Sequence, residues 1–104
     1  MSTKYDVSVV VINYNSKKYI DNLFESLVRL KHSDFTFQVV VVDNASSDDS
    51  VEYLESRRFD RDIDLKIVKS ETNRGFAGGN NFGVEHSDGE YIVFLNNDTA
   101  VDEM

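Results

Sequence analysis

The feature that most constrains this fold is a pair of unbroken apolar runs that are short and rich in β-branched residues. Val7 to Ile12 contains only Ser8 as a polar residue, and Phe37 to Val42 contains only Gln38. A strand with one face in water alternates apolar and polar residues, whereas a strand covered on both faces reads as a continuous apolar run. The two runs therefore predict two buried strands of a parallel sheet.

Helical patterns follow each of these strands. After the first strand, apolar residues recur at the i, i+3, i+4, i+7 spacing of an amphipathic helix. These residues are Ile20, Leu23, Phe24 and Leu27. After the second strand, Ser46 or Ser47 can cap another helix, with Asp48 and Asp49 in its first turn, where the helix dipole favours acidic residues.

The second half of the chain continues the alternation. Leu65 to Val68 predicts a short third strand, and Tyr91 to Leu95 predicts a fourth. Between them, Gly75 to Gly83 reads as a glycine- and asparagine-rich segment that leads into a short helix ending before Asp88. Strands that alternate with helices indicate right-handed crossovers, so we predict an α/β fold with a Rossmann-like parallel sheet and flanking helices.

The length and composition of the chain exclude several classes of function. The length of 104 residues suits one small domain, and 19 acidic against 11 basic residues give a formal net charge of −8. This charge disfavours binding to nucleic acid or to an anionic membrane surface. The absence of cysteine excludes disulfides, thiolate metal sites and cysteine nucleophiles. With no apolar run of about 20 residues and no signal-peptide pattern, we expect a cytoplasmic protein.

Polar clusters follow the predicted strands at the point where each strand ends. The clusters are Asn13-Tyr14-Asn15, Asp43-Asn44 and Asn96-Asn97-Asp98, and Arg74 lies in the loop after the third strand. Ligands of open parallel sheets bind beyond the carboxyl ends of the strands. The sequence therefore predicts one polar crevice formed by all four exits.

Each cluster also has a simpler interpretation. Tyr14 could cover the end of the sheet, and Asp43-Asn44 could form a turn with bonds between side chain and backbone. The glycine-rich segment could be only a loop with a helix cap, and Asn96-Asn97-Asp98 could be an ordinary turn in which Asp98 or Thr99 caps. Their convergence at one edge of the sheet favours a binding site.

Four motifs in this order resemble the inverting family 2 glycosyltransferases of the GT-A fold. They extend over 9–15, 41–48, 73–81 and 94–99, with the sequences VVVINYN, VVDNASSD, NRGFAGGNN and FLNNDT. The resemblance runs from about Val7 to Asp102 and covers the first half of the family's catalytic domain, its nucleotide-binding part. It implies the strand order 3-2-1-4. The third motif resembles the branch that includes rhamnosyltransferases and related O-antigen or cell-wall enzymes.

The resemblance implies a nucleoside diphosphate sugar as donor. The implied nucleotide-binding residues are Asn13, Tyr14, Asn15, Asp43, Asn44, Arg74, Gly75 and Asn97. Tyr14 would lie against the nucleobase, and Asp43 would accept a hydrogen bond from the base or ribose, with Asn44 beside it as the alternative. Arg74 and the backbone from Gly75 to Gly79 would line the diphosphate side, where small residues permit close approach.

The resemblance also implies a divalent cation. The sequence Asn96-Asn97-Asp98 stands at the place of the family's DxD motif, so Asp98 would bind Mg²⁺ or Mn²⁺ and bridge it to the diphosphate. Asn96 replaces the first carboxylate of that motif and offers an amide oxygen without charge. We therefore expect metal binding to depend on the nucleotide.

The acceptor implied by the family is a polysaccharide or a lipid-linked saccharide, and the parent protein could lie at the inner face of the membrane. The family's general base is a carboxylate placed later in the catalytic domain, beyond Met104, and no motif here identifies one. We expect the chain to be a fragment that binds nucleotide weakly and turns over little alone. The unpaired apolar edge of the fourth strand, Tyr91 to Leu95, predicts a homo-oligomer.

Other functions stay open at this point. A nucleotidyltransferase would need a glycine-rich basic loop after the first strand, which Asn13-Tyr14-Asn15 does not provide. A phosphoacceptor receiver domain would need an acidic pair after the first strand and an aspartate after the third. A non-catalytic module that serves only in association is the third alternative.

Overall fold

The computed structural model describes residues 5–15, 17–30, 34–57 and 64–96, without the side chains of residues 30, 57, 76 and 96. The strands are β1 (Tyr5–Asn13), β2 (Phe37–Asp43), β3 (Leu65–Lys69) and β4 (Gly89–Asn96). The helices are α1 (Ile20–Leu30), α2 (Ser50–Arg57) and α3 (Gly75–Glu85), and a 3₁₀ turn, Lys17–Tyr19, precedes α1. The predicted α/β class is confirmed.

The four strands form one parallel sheet in the order β3-β2-β1-β4, as the resemblance implies. Asn13 of β1 pairs with Asp43 of β2, which in turn pairs with Lys69 of β3. Ile12 pairs with Asn96, the last residue of β4. The carboxyl ends of the four strands are therefore level at one edge, and the loops that follow them begin side by side.

Two apolar layers cover the central strands. On one face, residues of α1 and Leu54 of α2 pack against Val9, Val11, Val39 and Val41. The residues of α1 in this layer are Ile20, Leu23, Phe24 and Leu27, which confirms the predicted helix face. On the opposite face, Val10, Val40, Val42 and Val68 form a second cluster, with Phe82 of α3 packed against it. Burial on both faces explains why β1 and β2 read as unbroken apolar runs.

Helix α3 differs from the prediction, because the segment from Gly75 to Gly83 is helical from its first residue. A Cβ atom at Gly83 would lie 2.5 Å from Val10 Cγ1, and one at Gly79 would lie 2.9 Å from Ile12 Cδ1. The glycines let the helix lie close to the sheet. Each costs about 1 kcal/mol in helix propensity relative to alanine, and this close packing offsets the cost.

Helix α2 begins at Ser50, later than a cap at Ser46 or Ser47 would give. The turn before it is held by side chains: Asn15 Oδ1 accepts hydrogen bonds from the backbone N–H groups of Ser47 and Asp48 at 2.7 and 3.2 Å. These N–H groups already have a hydrogen-bond partner in Asn15, so an earlier start of the helix would add no hydrogen bond for them. Asp48, expected within the first turn, accepts a bond from the Ser50 N–H at 3.1 Å instead.

Strand β4 lies at the edge of the sheet, and the helices cover only part of it. Tyr91 is 66% exposed, and Val93 and Phe94 also present apolar surface. Within the described part of the chain, none of the helices is both long enough and apolar enough to cross a bilayer.

Candidate functional site

The exits of β1 and β2 are joined by a buried hydrogen bond between two predicted site residues. Asn13 Nδ2 donates to Asp43 Oδ1 at 2.8 Å and also to Ser50 Oγ at 2.8 Å. Both Asn13 and Asp43 are buried, and their backbones are register partners in the sheet. The Asn13 side chain therefore orients the Asp43 carboxylate from within the sheet edge.

Ser46 completes the surroundings of Asp43. Its backbone N–H donates to Asp43 Oδ2 at 3.1 Å and its hydroxyl donates to Asp43 Oδ1 at 2.6 Å. A carboxylate that accepts hydrogen bonds from several donors is fixed in direction. The simpler interpretation of Asp43-Asn44, a turn with bonds between side chain and backbone, therefore describes part of this structure, and the turn places the carboxylate at the common edge of the strands.

Asn15 holds the loop after β1 against the loop after β2. Its backbone N–H donates to Ser46 Oγ at 2.9 Å, while its side-chain oxygen accepts bonds from the Ser47 and Asp48 N–H groups. Asn15 has a φ of 48° and Ala45 a φ of 65°, both in the left-handed region, which asparagine adopts more readily than most residues. The two loops form one interlocked turn.

Tyr14 lies between these two anchoring asparagines. Asn13 is bonded to Asp43 and Asn15 to Ser46, so the Tyr14 backbone is fixed on both sides. The residue is 48% exposed. A large, half-exposed aromatic residue on a fixed backbone, beside a buried carboxylate, can present a flat apolar surface to a ring-shaped ligand.

Asn44 connects the β2 exit to the start of α3. Its side-chain oxygen accepts a bond from the Arg74 N–H at 3.0 Å, and its Nδ2 donates to the Gly75 carbonyl at 3.1 Å. Gly75 has a φ of 72°, which favours glycine. Asn44 is buried, so its amide serves this contact and the predicted loop after β3 is brought to the same edge.

The Arg74 side chain is held by two further contacts. Its Nε donates to Ser70 Oγ at 2.8 Å, and its Cζ lies 4.2 Å from the centroid of the Phe82 ring. The guanidinium therefore has a defined position at the start of α3 rather than a solvated, freely rotating one.

One ion pair flanks the site. Lys17 Nζ lies 2.8 Å from Asp49 Oδ2, and both side chains are well exposed. The hydrogen bond between them raises the pKa of Lys17 and lowers the pKa of Asp49. Burial alone would raise the pKa of Asp48, but hydrogen bonds from Ser50 outweigh it and leave that pKa lowered. All three groups are thus held in their charged forms.

The predicted metal ligands lie at the last described residue and beyond it. The backbone of Asn96 ends β4 at the common edge, paired with Ile12, while Asn97 and Asp98 lie outside the described residues. Among the described residues, no group of three or more histidine, aspartate or glutamate side chains comes together. The metal assignment of Asp98 and Asn96 stays a prediction.

The structure brings together Asn13, Tyr14, Asn15, Asp43, Asn44, Arg74 and Gly75, as the strand-end argument predicted. Four partners of these residues were not predicted from the sequence: Ser46, Ser50, Ser70 and Phe82. Ser46 could have been found, because a serine three residues after an aspartate is typical of a side-chain-stabilised turn. Phe82, eight residues after Arg74, has the spacing of a helix face, but Arg74 was expected in a loop. Ser70 precedes the helix, and no pattern indicates its contact with Arg74.

The parallel sheet in the order β3-β2-β1-β4 with its flanking helices matches solved structures of the GT-A class of glycosyltransferases over part of their domain. A sequence model of glycosyl transferase family 2 matches residues 8–104, and the chain belongs to that family.

The relatives are considerably longer than this chain. It is similar to the poly(ribitol-phosphate) β-N-acetylglucosaminyltransferase TarS of Staphylococcus aureus, with 35% identity over 97 residues that make up 92% of this chain and 17% of that protein. The crystal structure of S. aureus TarS 1-349 in complex with UDP-GlcNAc matches 89% of this chain and 26% of its own, with 36% identity and a TM-score of 0.77. The chain thus spans only a small part of the TarS sequence and structure.

A second solved structure extends the comparison to another nucleotide. The mannosyltransferase PcManGT of Pyrobaculum calidifontis, in complex with GDP-Man and Mn²⁺, matches 93% of this chain and 28% of its own at 27% identity, with a TM-score of 0.75. Similar folds therefore hold two different nucleoside diphosphate sugars, one of them together with Mn²⁺.

Proposed function

We propose that the carboxyl edge of the sheet binds the nucleoside diphosphate of a sugar donor, for transfer of the sugar to a polysaccharide or lipid-linked acceptor. The observation that carries this proposal is the linkage of three strand exits by Asn13–Asp43 and Asn44–Arg74 hydrogen bonds around the half-exposed Tyr14. The complexes of similar proteins with UDP-GlcNAc and GDP-Man support it, because both ligands are nucleoside diphosphate sugars. Family membership favours transfer of a sugar over transfer of a nucleotidyl group.

In this proposal Tyr14 packs against the nucleobase and Asp43 accepts a hydrogen bond from it. The two oxygens of Asp43 accept bonds from Asn13 Nδ2 and from the backbone and hydroxyl of Ser46. An ionised carboxylate offers about four acceptor positions, so one is left for a ligand N–H or O–H. Uracil, thymine and guanine present a ring N–H, whereas adenine and cytosine present N–H donors only on an exocyclic amino group, at a different position, and the proposal places the ring N–H against Asp43. We therefore expect uridine, thymidine or guanosine diphosphates to bind better than adenosine or cytidine diphosphates.

The diphosphate lies, in this proposal, beside Arg74 and the first turn of α3. The N-terminal N–H groups of a helix and the positive end of its dipole favour an anion. Helix α3 is 11 residues long and begins at Gly75, next to the Asn44 side chain. A local cation and a helix N-terminus can hold a small anion even though the chain carries a formal net charge of −8.

A divalent cation completes the proposed site, with Asp98 as its carboxylate ligand and Asn96 as an amide-oxygen ligand. Hard oxygen donors of this kind suit Mg²⁺ or Mn²⁺. Bound there, the cation would stabilise the charge of the departing diphosphate. The end of β4 at the common edge supports this placement, since residues 97 and 98 follow directly.

Inversion at the anomeric carbon, a rhamnosyltransferase-like specificity and a cytoplasmic location, at the inner face of the membrane, are further parts of the proposal. Inversion requires a general base that accepts a proton from the acceptor hydroxyl. The four motifs contain no carboxylate that matches this role. We therefore propose that this chain alone binds nucleotide weakly and has little catalytic activity. We also propose that it associates with a second copy through the exposed edge of β4.

Isothermal titration calorimetry tests the proposal. UDP, GDP and dTDP are titrated into the chain with and without Mn²⁺, and ADP and CDP serve as controls that lack a ring N–H donor. We expect at least one of the first three to bind, more tightly with Mn²⁺, and the controls to bind more weakly. If UDP, GDP and dTDP all fail to bind under both conditions, the proposal is wrong.

A further inference from the structure

The side chain of Arg74 lies along α3 rather than projecting away from the helix. Arg74, Gly78, Phe82 and His86 are spaced four residues apart, which places them on one face of a helix. Arg74 Cζ lies 4.2 Å from the Phe82 ring centroid, and the Phe82 ring contacts His86 edge-on at 4.9 Å between centroids. The guanidinium is stacked on a ring that is itself fixed.

The Phe82 ring is half-buried and is held by the core beneath it. It packs against the buried cluster of Val10, Val40, Val42 and Val68 on the sheet. Packing against this cluster restricts the rotamers of Phe82, so the ring offers the guanidinium a well-defined surface. The contact with the Phe82 ring occupies no hydrogen-bond acceptor, so it leaves the guanidinium N–H groups to donate to other partners.

Ser70 fixes the same guanidinium from a second side. Its hydroxyl donates to the Thr72 carbonyl at 2.6 Å, which directs an oxygen lone pair toward Arg74 Nε at 2.8 Å. Within the part of the chain that the structure describes, Ser70 is the only hydrogen-bond acceptor of the Arg74 side chain. Of the five guanidinium N–H groups, the four on the Nη atoms are left for a ligand.

Gly78 provides the space for this arrangement. A Cβ atom at this position would lie 2.9 Å from Arg74 Cβ, closer than such atoms approach in proteins. The Arg74 backbone is fixed independently, since its N–H donates to Asn44 Oδ1 at 3.0 Å. With the backbone held by Asn44, any larger residue at position 78 would displace the Arg74 side chain.

We propose that Phe82, Ser70 and Gly78 are positioning residues that hold the Arg74 guanidinium ready for acceptor oxygens of the nucleoside diphosphate. This inference rests on the proposed function. Holding the side chain before the ligand arrives reduces the conformational entropy lost on binding, since a free arginine side chain loses much rotamer freedom when it is immobilised.

The first test detects the arrangement without any ligand. In NMR spectra of the free chain, the Arg74 Nε–Hε signal should be shifted upfield by the Phe82 ring. Phe82→Leu removes the ring and should abolish the shift, whereas Phe82→Tyr should keep it. Equal Arg74 Hε shifts in the wild type and in Phe82→Leu would overturn the stacking.

The second test measures whether the arrangement matters for binding. We expect Phe82→Leu to weaken UDP binding about three- to tenfold in calorimetry, and Phe82→Tyr to restore it. The matched control is Phe37→Leu, which alters a half-buried phenylalanine on the opposite face of the sheet. In an Arg74→Ala background, Phe82→Leu should have no further effect, because the group it positions is gone.

The outcomes separate this inference from the proposed function. Wild-type chain that binds no nucleotide refutes the proposed function and the binding role of these residues together. Wild-type chain that binds UDP, is weakened by Arg74→Ala and is unaffected by Phe82→Leu supports the proposed function and refutes the positioning. If Phe82→Leu lowers the affinity for UDP equally in the wild type and in the Arg74→Ala background, the loss comes from packing alone, and the positioning role is also refuted.

Two smaller substitutions test the same inference with less risk that the variant fails to fold. Ser70→Ala removes only the acceptor of Arg74 Nε and should weaken UDP binding about two- to fivefold, while Ser70→Thr keeps the hydroxyl and should bind as the wild type does. Gly78→Ala suits a helix better than glycine, yet should weaken UDP binding about threefold or more without lowering the thermal midpoint. Unchanged UDP affinity in both Ser70→Ala and Gly78→Ala would overturn the inference.

Discussion

Asn13 and Asp43 are register partners on neighbouring strands, and their side chains are joined by a buried hydrogen bond of 2.8 Å at the edge where both strands end. The hydrogen bond joins the ends of β1 and β2, and it also sets the direction of the Asp43 carboxylate. This carboxylate is the group proposed to accept a hydrogen bond from the nucleobase. Neither residue could be replaced without effects on both stability and binding.

Asn13→Ala should lower the free energy of unfolding by about 1–3 kcal/mol, because it removes the donor to a buried carboxylate and to Ser50 Oγ. Urea denaturation followed by circular dichroism measures the change. The control is Asn22→Ala, which alters an exposed asparagine on α1 and should change the unfolding free energy by less than about 0.5 kcal/mol. Equal losses in the two variants would contradict a special role for Asn13.

Tyr14→Ala should weaken binding of UDP or GDP by about 1–3 kcal/mol, roughly five- to 150-fold, if the ring stacks on the base. Tyr14→Phe keeps the ring and should bind nearly as tightly as the wild type. Phe35→Ala is the matched control, since Phe35 is also a part-exposed aromatic residue but lies before β2, at the opposite edge of the sheet. Calorimetry in which the Tyr14→Ala and Phe35→Ala variants bind alike would rule out stacking by Tyr14.

Asn96→Asp should strengthen Mn²⁺ binding in the absence of nucleotide, because it adds a second carboxylate to the proposed site. Asp98→Asn should remove the dependence of nucleotide affinity on Mn²⁺, because only amide oxygens then stand at positions 96 and 98. Electron paramagnetic resonance of Mn²⁺ measures the first effect and calorimetry with and without Mn²⁺ measures the second. Mn²⁺-dependent nucleotide binding that persists in Asp98→Asn would exclude this residue as the ligand.

The charged groups beside the site give a small dependence of stability on pH. The pKa of Asp48 is lowered in the folded state, so its contribution is present above the unfolded value near 3.8 and is lost as the pH falls through the folded value. The pKa of Lys17 is raised, so its contribution is complete below 10.5 and is lost as the pH rises through the folded value.

Asp48→Asn should therefore reduce the loss of stability on acidification from pH 7 to pH 3 by about 0.5 kcal/mol, a small value because the carboxylate is exposed to solvent. Urea midpoints at the two pH values measure it. Glu71→Gln, which removes an exposed carboxylate in the loop after β3, is the control. An acid-induced loss in Asp48→Asn as large as in the wild type would show that the hydrogen bonds from Ser50 do not stabilise the charged form.

The sequence predicted the parts of this fold that local pattern determines. Continuous apolar runs identified β1 and β2, because strands covered on both faces leave no place for polar residues. The spacing of Ile20, Leu23 and Phe24 identified α1. The site edge followed from topology, since the carboxyl ends of parallel strands meet on one side.

The parts that failed depend on contacts distant in sequence. Gly79 and Gly83 read as loop residues, yet they are helical, and they are glycines because the sheet beneath α3 has no room for a Cβ atom at either position. The start of α2 was displaced because Asn15, more than 30 residues earlier, occupies the N–H groups of Ser47 and Asp48. Local propensity cannot reveal a partner that only the folded chain brings near.

The exposed edge of β4 gives the last prediction, a self-associating chain. Tyr91 and Val93 lie on the sheet face that carries α1 and α2, and Phe94 lies on the face that carries α3, yet all three are exposed because the helices pack on the central strands. β4 is paired only with β1, and an edge strand with apolar surface on both faces favours pairing with another chain. Copies with a net charge of −8 repel each other, so added salt should strengthen the association.

Light scattering at increasing concentration should show dimers or larger species in the wild type and monomers in a Tyr91→Lys, Val93→Lys double variant. Val84→Lys, at an exposed valine on α3, is the control and should associate as the wild type does. A wild-type chain that is monomeric at high concentration and high salt would show that β4 does not recruit a second copy.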